Sequence, residues 1–337
     1  MNDSSNDTDY VTDYPDEICE KENVFQFGSH VTPFFFSIVI TLSLMGNILV
    51  LVLLVLYENL KSLTNIFFFN LAISDLIFTL SLTFWEIYHT WGWLRSENLC
   101  KVMTFVFFIG FYSSIIILST LTIYRYLSVV HLFTDMSTRG LSNRVLLSVL
   151  TWMFSIGAAL PSLFFSSLIK IRHSETFLLG CDSTDSNWQI VGVIQQNSFF
   201  LVAFGVMAFC YIRILQKIKR TRSQTKDKAV KLIFCVVAAF FIGWVPYNAI
   251  IFLMLLVDHQ LTSFSSCEVS TQLDYAFNVS RVIAFSHCCL NPVLYVFVGE
   301  RFKKHSMSLL RRIFNRRMPA VEHQVGDREH LSLGSVC

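Results

Sequence analysis

Seven apolar stretches of membrane-spanning length constrain this chain more than any other feature: residues 33–56, 66–88, 102–130, 145–168, 190–215, 230–257 and 273–298. A bilayer core takes about 20 apolar residues as a helix, and backbone polar groups in lipid must be satisfied within each segment, so runs of this length are read as helices. Composition agrees, because 53% of the 337 residues are hydrophobic and only 15% are charged. A soluble domain carries about 25% charged residues, so most of this chain does not face water. The expected fold class is an all-α membrane protein, a bundle of seven transmembrane helices.

Charge patterning orients the bundle. The net charge of +2 hides clusters at Lys217, Lys219, Arg220, Arg222, Lys226 and Lys228, and again at Arg301, Lys303, Lys304, Arg311, Arg312, Arg316 and Arg317. The positive-inside rule places these segments in the cytoplasm and the amino terminus outside the cell, with the first span as the targeting signal. That terminus holds Asp3, Asp7, Asp9, Asp13, Asp16, Glu17, Glu20 and Glu22 against Lys21. Too polar to bury a core, residues 1–30 are expected to form a disordered acidic extracellular tail, followed by the helical domain at 31–298. Within the tail, Asn2 and Asn6 head glycosylation sequons, and Tyr10 and Tyr14 sit among carboxylates in a context that suits sulfation. Residues 299–315 alternate Phe302, Leu309, Leu310, Ile313 and Phe314 with basic side chains, the pattern of an amphipathic helix on the inner leaflet. Residues 316–337 are expected to be a disordered cytoplasmic tail. The location implied is the plasma membrane, with lipids as partners; two oppositely charged ends do not imply nucleic acid.

The third stretch organises the rest. As one helix, the step from Cys100 to Arg125 spans roughly 37 Å at about 1.5 Å per residue, so a disulfide-capable thiol and a fixed cation stand at opposite membrane faces. Cys19, Cys100, Cys181 and Cys267 all fall on the expected outer side, where disulfides persist. Four cysteines allow three pairings. A bridge from Cys100 to Cys181 would tie the long outer loop at 169–188 across the bundle mouth, and one from Cys19 to Cys267 would tether the tail. Asp75 lies near the middle of a span, where an ionisable residue is a functional candidate. Asn47, Ser114, His287 and Asn291 are polar residues of other spans able to meet it. Two readings stand: a pocket for a sodium ion, a hard cation that prefers oxygen ligands, or a structural hydrogen-bond network. His287, Cys288 and Cys289 are adjacent on a helix, point in different directions and do not make a metal site. Pro246 and Pro292 each remove a ladder hydrogen bond within a span and mark places where a helix can bend. Pro161 is expected to end the regular part of the fourth helix.

At Gly46-Asn47, Leu71-Ala72-Ile73-Ser74-Asp75, Cys100, Arg125-Tyr126, Trp152, Trp244-Val245-Pro246 and Asn291-Pro292-Val293-Leu294-Tyr295 the chain resembles the rhodopsin-class G-protein-coupled receptors. Trp85, His89-Thr90-Trp91-Gly92-Trp93, the extra Cys19 and Cys267, and Phe285-Ser286-His287-Cys288-Cys289-Leu290-Asn291-Pro292 narrow the resemblance to the chemokine receptors. Ser62-Leu63-Thr64-Asn65-Ile66-Phe67 and Tyr126-Leu127-Ser128-Val129-Val130 are similar to the XC class of that family. Three departures matter. Tyr124 stands where the family has Asp before Arg125; Gly243 precedes Trp244 where Cys is usual, and the second span lacks a proline near Thr83; Arg281 stands where most members carry Glu.

The resemblance implies a receptor and not an enzyme, one that binds a small basic chemokine outside and activates a Gi-type G protein inside, raising calcium and driving chemotaxis. It implies the pairings Cys100 with Cys181 and Cys19 with Cys267, and arrestin and receptor kinases as further partners. The tail with Tyr10 and Tyr14 would capture the ligand by long-range attraction. The ligand's amino terminus would enter near Trp85, Glu86, Phe107, Tyr112, Trp244 and Arg281. With Arg281 reversing the usual sign, Glu86 is the carboxylate expected to take the ligand's ammonium; the alternative is an ion pair between Glu86 and Arg281. Arg125, Tyr126, Trp244, Pro246, Asn291, Pro292 and Tyr295 would carry activation. An atypical receptor that internalises chemokine without G-protein coupling is the rival within the family, motivated by Tyr124. An intramembrane protease would need a second membrane carboxylate facing Asp75 or a His-Glu-x-x-His helix, and a channel would need rings of charged pore residues; the sequence supplies neither.

Overall fold

The structure is a computed structural model, which describes residues 21–58, 62–91, 96–130, 141–173, 176–183, 185–221, 227–259 and 266–298. Its helices are α1 (Glu22–Tyr57), α2 (Leu63–Trp91), α3 (Glu97–Val130), α4 (Leu141–Phe165), α5 (Ser186–Thr221), α6 (Asp227–Asp258), α7 (Cys267–Phe285) and α8 (His287–Val298). Two strands, β1 (Ser166–His173) and β2 (Thr176–Ser183), lie between α4 and α5. Among the described residues, α1 to α6 are each long and apolar enough to cross a membrane. The seventh span is made of α7 and α8 together, end to end.

Packing runs in a closed ring. α1 lies on α2, α2 on α3, α5 on α6, and α6 on α7 and α8, which return to α1. α3 is the shared wall, because it also packs against α4, α5 and β1. Its buried run includes Phe107, Phe111, Tyr112, Ser113, Ser114, Ile117, Leu118 and Leu121, so polar as well as apolar side chains face its neighbours. The outside is apolar: Phe34, Met45, Leu201 and Val202 are exposed, and Ile242 is 72% exposed. In water such a surface would aggregate; in a bilayer it is the matched solvent.

Two glycines set the closest helix approaches. A Cβ on Gly110 would stand 2.8 Å from Phe78 Cβ and 2.9 Å from its Cα, so only the missing side chain lets α3 reach the α2 backbone. A Cβ on Gly46 would meet the Pro292 ring at 2.8 Å, which seats α1 on α8. Pro292 has no N–H to give the Cys288 carbonyl one turn earlier. Asn47 Nδ2 takes that carbonyl at 2.9 Å, and Ser43 Oγ reaches it at 3.3 Å. The helix-breaking residue on one span is thus satisfied by polar residues of another.

The sequence reading is corrected at four places. α1 starts at Glu22, not near residue 31, because its first turns find partners on α7: Lys21 pairs with Asp274 at 2.7 Å, and Phe27 meets Tyr275 edge-on with ring centroids 5.4 Å apart. The outer segment read as a loop is an antiparallel hairpin, in register from Ser166 opposite Ser183 to His173 opposite Thr176. Pro161 lies inside α4, which runs on to Phe165. The seventh span breaks at Ser286, ahead of Pro292; the Ser286 N–H still reaches Val282 O and the Cys289 N–H turns back to Ser286 O, each at 3.1 Å. Residues 1–20 and 299–337 lie outside the described residues, and with them Asn2, Asn6, Tyr10, Tyr14 and the expected inner-leaflet helix.

Candidate functional site

A cavity of about 440 Å³ opens between α3, α5, α6 and α7 at the end of the bundle that carries the hairpin. The Cys100–Cys181 disulfide, with Cα atoms 5.7 Å apart, pins β2 to the head of α3, and Ser166, Cys181 and Ser183 contribute to the cavity wall. Cys267 is disulfide-bonded, and its expected partner Cys19 lies outside the described residues. Trp85, Phe107, Tyr112 and Arg281, four of the six residues proposed from sequence, line the cavity.

The other two do not. Trp244 is fully buried beneath the floor, in contact with Tyr247 and Phe285, which do line the cavity, at centroid distances of 5.5 and 5.7 Å. Glu86 turns toward α1, where Ser37 Oγ donates to Glu86 Oε1, and it is absent from the cavity wall. Glu86 and Arg281 do not form an ion pair. The ion-pair alternative for Glu86 therefore gives way, and among the described residues the carboxylate lining the cavity is Asp258, exposed at the end of α6. Sequence reasoning passed over Asp258 because it closes an apolar run, where a charged residue reads as a span boundary.

Arg281 is held by groups that leave its charge uncompensated. Its Nη2 donates to Thr32 Oγ1 at 3.2 Å and to Asn278 Oδ1 at 3.0 Å. Its Cζ lies 5.8 Å from the Phe36 ring centroid and 5.2 Å from that of Phe277. Nε is buried without a hydrogen-bond partner. Asn278 thus serves Arg281 as an acceptor, while its Nδ2 donates to Asp274 O at 3.0 Å.

Beneath the floor, aromatic contacts run without a gap to the polar centre of the bundle. Trp244 packs on Phe111 at 4.5 Å and on His287 at 5.4 Å, and His287 Nε2 stands 3.9 Å from Asp75 Oδ1. Asp75 is fully buried, with Asn291 Nδ2 donating to its Oδ2 at 2.8 Å. Of the proposed polar set, the structure brings His287 and Asn291 to Asp75. Asn47 instead serves the Cys288 carbonyl, and Ser114 pairs with Ser74 at 2.8 Å. Asp75 Oδ1 and Asn47 Oδ1 are buried without hydrogen-bond partners, oxygen donors of the kind a hard cation takes.

At the far end of α3, Arg125 faces α2. With Tyr124 in place of a carboxylate, its Nη2 donates to Thr64 Oγ1 at 2.9 Å, and its Cζ lies 5.9 Å from the Tyr124 ring centroid. Tyr126 packs on Phe209 of α5 at 5.9 Å, and Tyr295 of α8 is fully buried against Phe68 at 4.8 Å. Thr64 is a residue that sequence reasoning quoted only within a motif and assigned no role. Trp152 joins α4 to α2 through a 2.9 Å bond from its indole N–H to Asn70 Oδ1, another partner with no signal in the sequence.

Comparison with known proteins agrees with this layout. Residues 46–295 match the model of the 7 transmembrane receptor (rhodopsin family). The chain is 41% identical to chemokine XC receptor 1 of Homo sapiens over 313 residues, 93% of this chain and 91% of that protein. It is 42% identical to chemokine XC receptor 1 of Mus musculus over 305 residues, 90% of each. With C-C chemokine receptor type 4 of Homo sapiens it shares 36% identity over 294 residues, 87% of this chain and 81% of the other. A disulfide-roofed cavity on seven spans, matched over nearly its whole length by these proteins, identifies the chain as a multi-pass membrane receptor of the rhodopsin family, belonging to the chemokine receptors.

Proposed function

We propose that this receptor takes an XC-class, lymphotactin-like chemokine at the hairpin end, outside the cell, and activates a Gi-type G protein at the Arg125 end, inside, at the plasma membrane. The observation that carries the reading is α3: one helix runs from Cys100, tied to the hairpin over the cavity, to Arg125 at the opposite end of the bundle. A change pressed on the cavity floor has a contiguous packed route through Trp244 and His287 to Asp75 at the centre of the bundle. Identity to the XC receptors, higher than to the C-C type 4 receptor, supports the ligand class.

The mechanism divides by end. The acidic tail with Tyr10 and Tyr14 captures a basic ligand at long range, which raises encounter rate more than lifetime. The ligand's leading segment enters past Asp258 and meets Trp85, Phe107, Tyr112 and Arg281. Its pressure moves Tyr247 and Phe285 against Trp244, and α6 swings at Pro246. Arg125 then leaves Thr64 and helps seat the G protein. Arrestin and receptor kinases act on the cytoplasmic segments. A sodium ion taken up at the unpartnered Oδ1 of Asp75 would neutralise the buried carboxylate and favour the resting packing.

The second reading, a chemokine-internalising receptor without G-protein coupling, is favoured by one observation: among the described residues, Arg125 is held by Thr64 and no carboxylate. Both readings meet the same test. Purified chemokines are screened for binding and for Gi activation in transfected cells; an XC-class ligand that binds and activates supports the first reading. Binding and uptake with no activation supports the second.

A further inference from the structure

The half-buried cation in the cavity wall has consequences that do not rest on the chemokine reading. Arg281 carries a fixed positive charge among aromatic rings, and among the described residues the groups it touches, Thr32, Asn278, Phe36 and Phe277, are all neutral. No carboxylate of the described residues lies within ion-pair distance of it. Its Nε is buried with no partner. A guanidinium taken from water normally recovers its solvation from an anion, and the geometry here offers neutral acceptors at one nitrogen only. Around it the wall is apolar and aromatic, formed by Phe36, Phe277, Phe285, Tyr247 and Phe107. The volume of about 440 Å³ falls within the roughly 300–1,000 Å³ of small-molecule sites.

We infer that this cavity binds small anionic amphiphiles, molecules with a carboxylate head and an aromatic or aliphatic body, through a charge-assisted contact between the carboxylate and Arg281. The body stacks among the aromatic walls, and the head completes the coordination that Arg281 lacks. Asp258 is the carboxylate of the same cavity, but it is exposed at the end of α6, where water and salt screen it. Lys21 and Asp274, also at this end, already pair with each other at 2.7 Å. An ammonium-headed molecule of the same shape meets a cation at depth and is rejected, so the site discriminates by the sign of the head group.

Three probes of one shape test this: 2-naphthylacetate, its neutral amide, and 2-naphthylethylamine. Binding is followed by saturation-transfer NMR on the receptor in phosphatidylcholine nanodiscs, with empty nanodiscs subtracting lipid partitioning. The acid should give a receptor-dependent signal, and the amide and amine should bind about tenfold or more weakly, the difference expected of one charge-assisted contact. Arg281→Gln should remove the acid's advantage over the amide, and Arg281→Lys should keep part of it. Equal binding of all three head groups to the unsubstituted receptor overturns the inference without any variant having to fold. So does acid binding unchanged in Arg281→Gln, or no receptor-dependent signal up to about 10 mM.

Discussion

Arg281 and Arg125 are fixed cations with different duties, and both are held by a threonine where a carboxylate is the commoner partner. At the cavity, Arg281 bonds Thr32 and Asn278. Arg281→Glu is expected to lower chemokine potency about tenfold, and exchanging the charges of Glu86 and Arg281 is expected to restore nothing, because Glu86 is engaged with Ser37. Recovery of potency in the exchanged receptor, read by Gi activation at matched surface level, would mean that the two side chains pair in the cell. At the other end, Thr64 is the hydrogen-bond partner that restrains Arg125. A hydrogen bond to a charged group contributes about 1.5–3 kcal/mol, so Thr64→Val should raise ligand-independent activity by about tenfold, measured against receptor number. Basal signalling equal to the unsubstituted receptor would remove Thr64 from the resting state. The sequence made both cations conspicuous, since charge in an apolar chain is easy to see. It hid their partners, because a threonine inside a span carries no periodic signal and Glu86 looked nearer to Arg281 than the fold places it.

At the scale of elements, the contacts that decide geometry are made by residues with little or nothing beyond the backbone. Gly110 has α2 against it at less than a Cβ contact distance, and the atoms it would strike are Phe78 Cβ, Cα and N, none of which can turn aside without moving the backbone. Gly110→Ala is expected to cost about 1–3 kcal/mol and to lower the melting temperature of detergent-purified receptor, whereas Gly205→Ala, where nothing lies within 4 Å, should not. Equal melting temperatures for the two variants would show that α2 and α3 are farther apart than described. The helices themselves were legible from apolar run length, and α3 as the shared wall follows from the cation and thiol at its ends. The hairpin was not. Ile169-Lys170-Ile171-Arg172 does alternate apolar with basic residues, yet its position between two spans and the absence of a turn dipeptide made it read as a loop. The extension of α1 back to Glu22 was hidden for a different reason: it depends on Asp274 and Tyr275, which lie about 250 positions away in sequence.

For the whole molecule, the account joins two ends of one bundle. The receiving end combines an acidic tail with a roofed cavity, and Lys21, the basic residue among the tail's carboxylates, is already neutralised by Asp274. By sequence, residues 1–20 carry seven carboxylates and no lysine or arginine. Replacing Tyr10 and Tyr14 with Phe should weaken chemokine binding, with a loss that shrinks as ionic strength rises beyond about 0.15 M, where the screening length falls below about 8 Å. Affinity unchanged at low salt would exclude the two tyrosines from capture. Arg125 stands at the other end of α3, separated from the cavity by the buried aromatic and polar centre. The central claim, that ligand binding and G-protein activation occupy opposite ends of α3, is tested most directly by measuring chemokine binding and Gi activation in the same cells for the unsubstituted receptor and for Arg125→Ala. The account predicts surface binding within about twofold in both, with activation in the unsubstituted receptor and at least about a tenfold loss in the variant. Comparable activation per bound ligand in Arg125→Ala would contradict it.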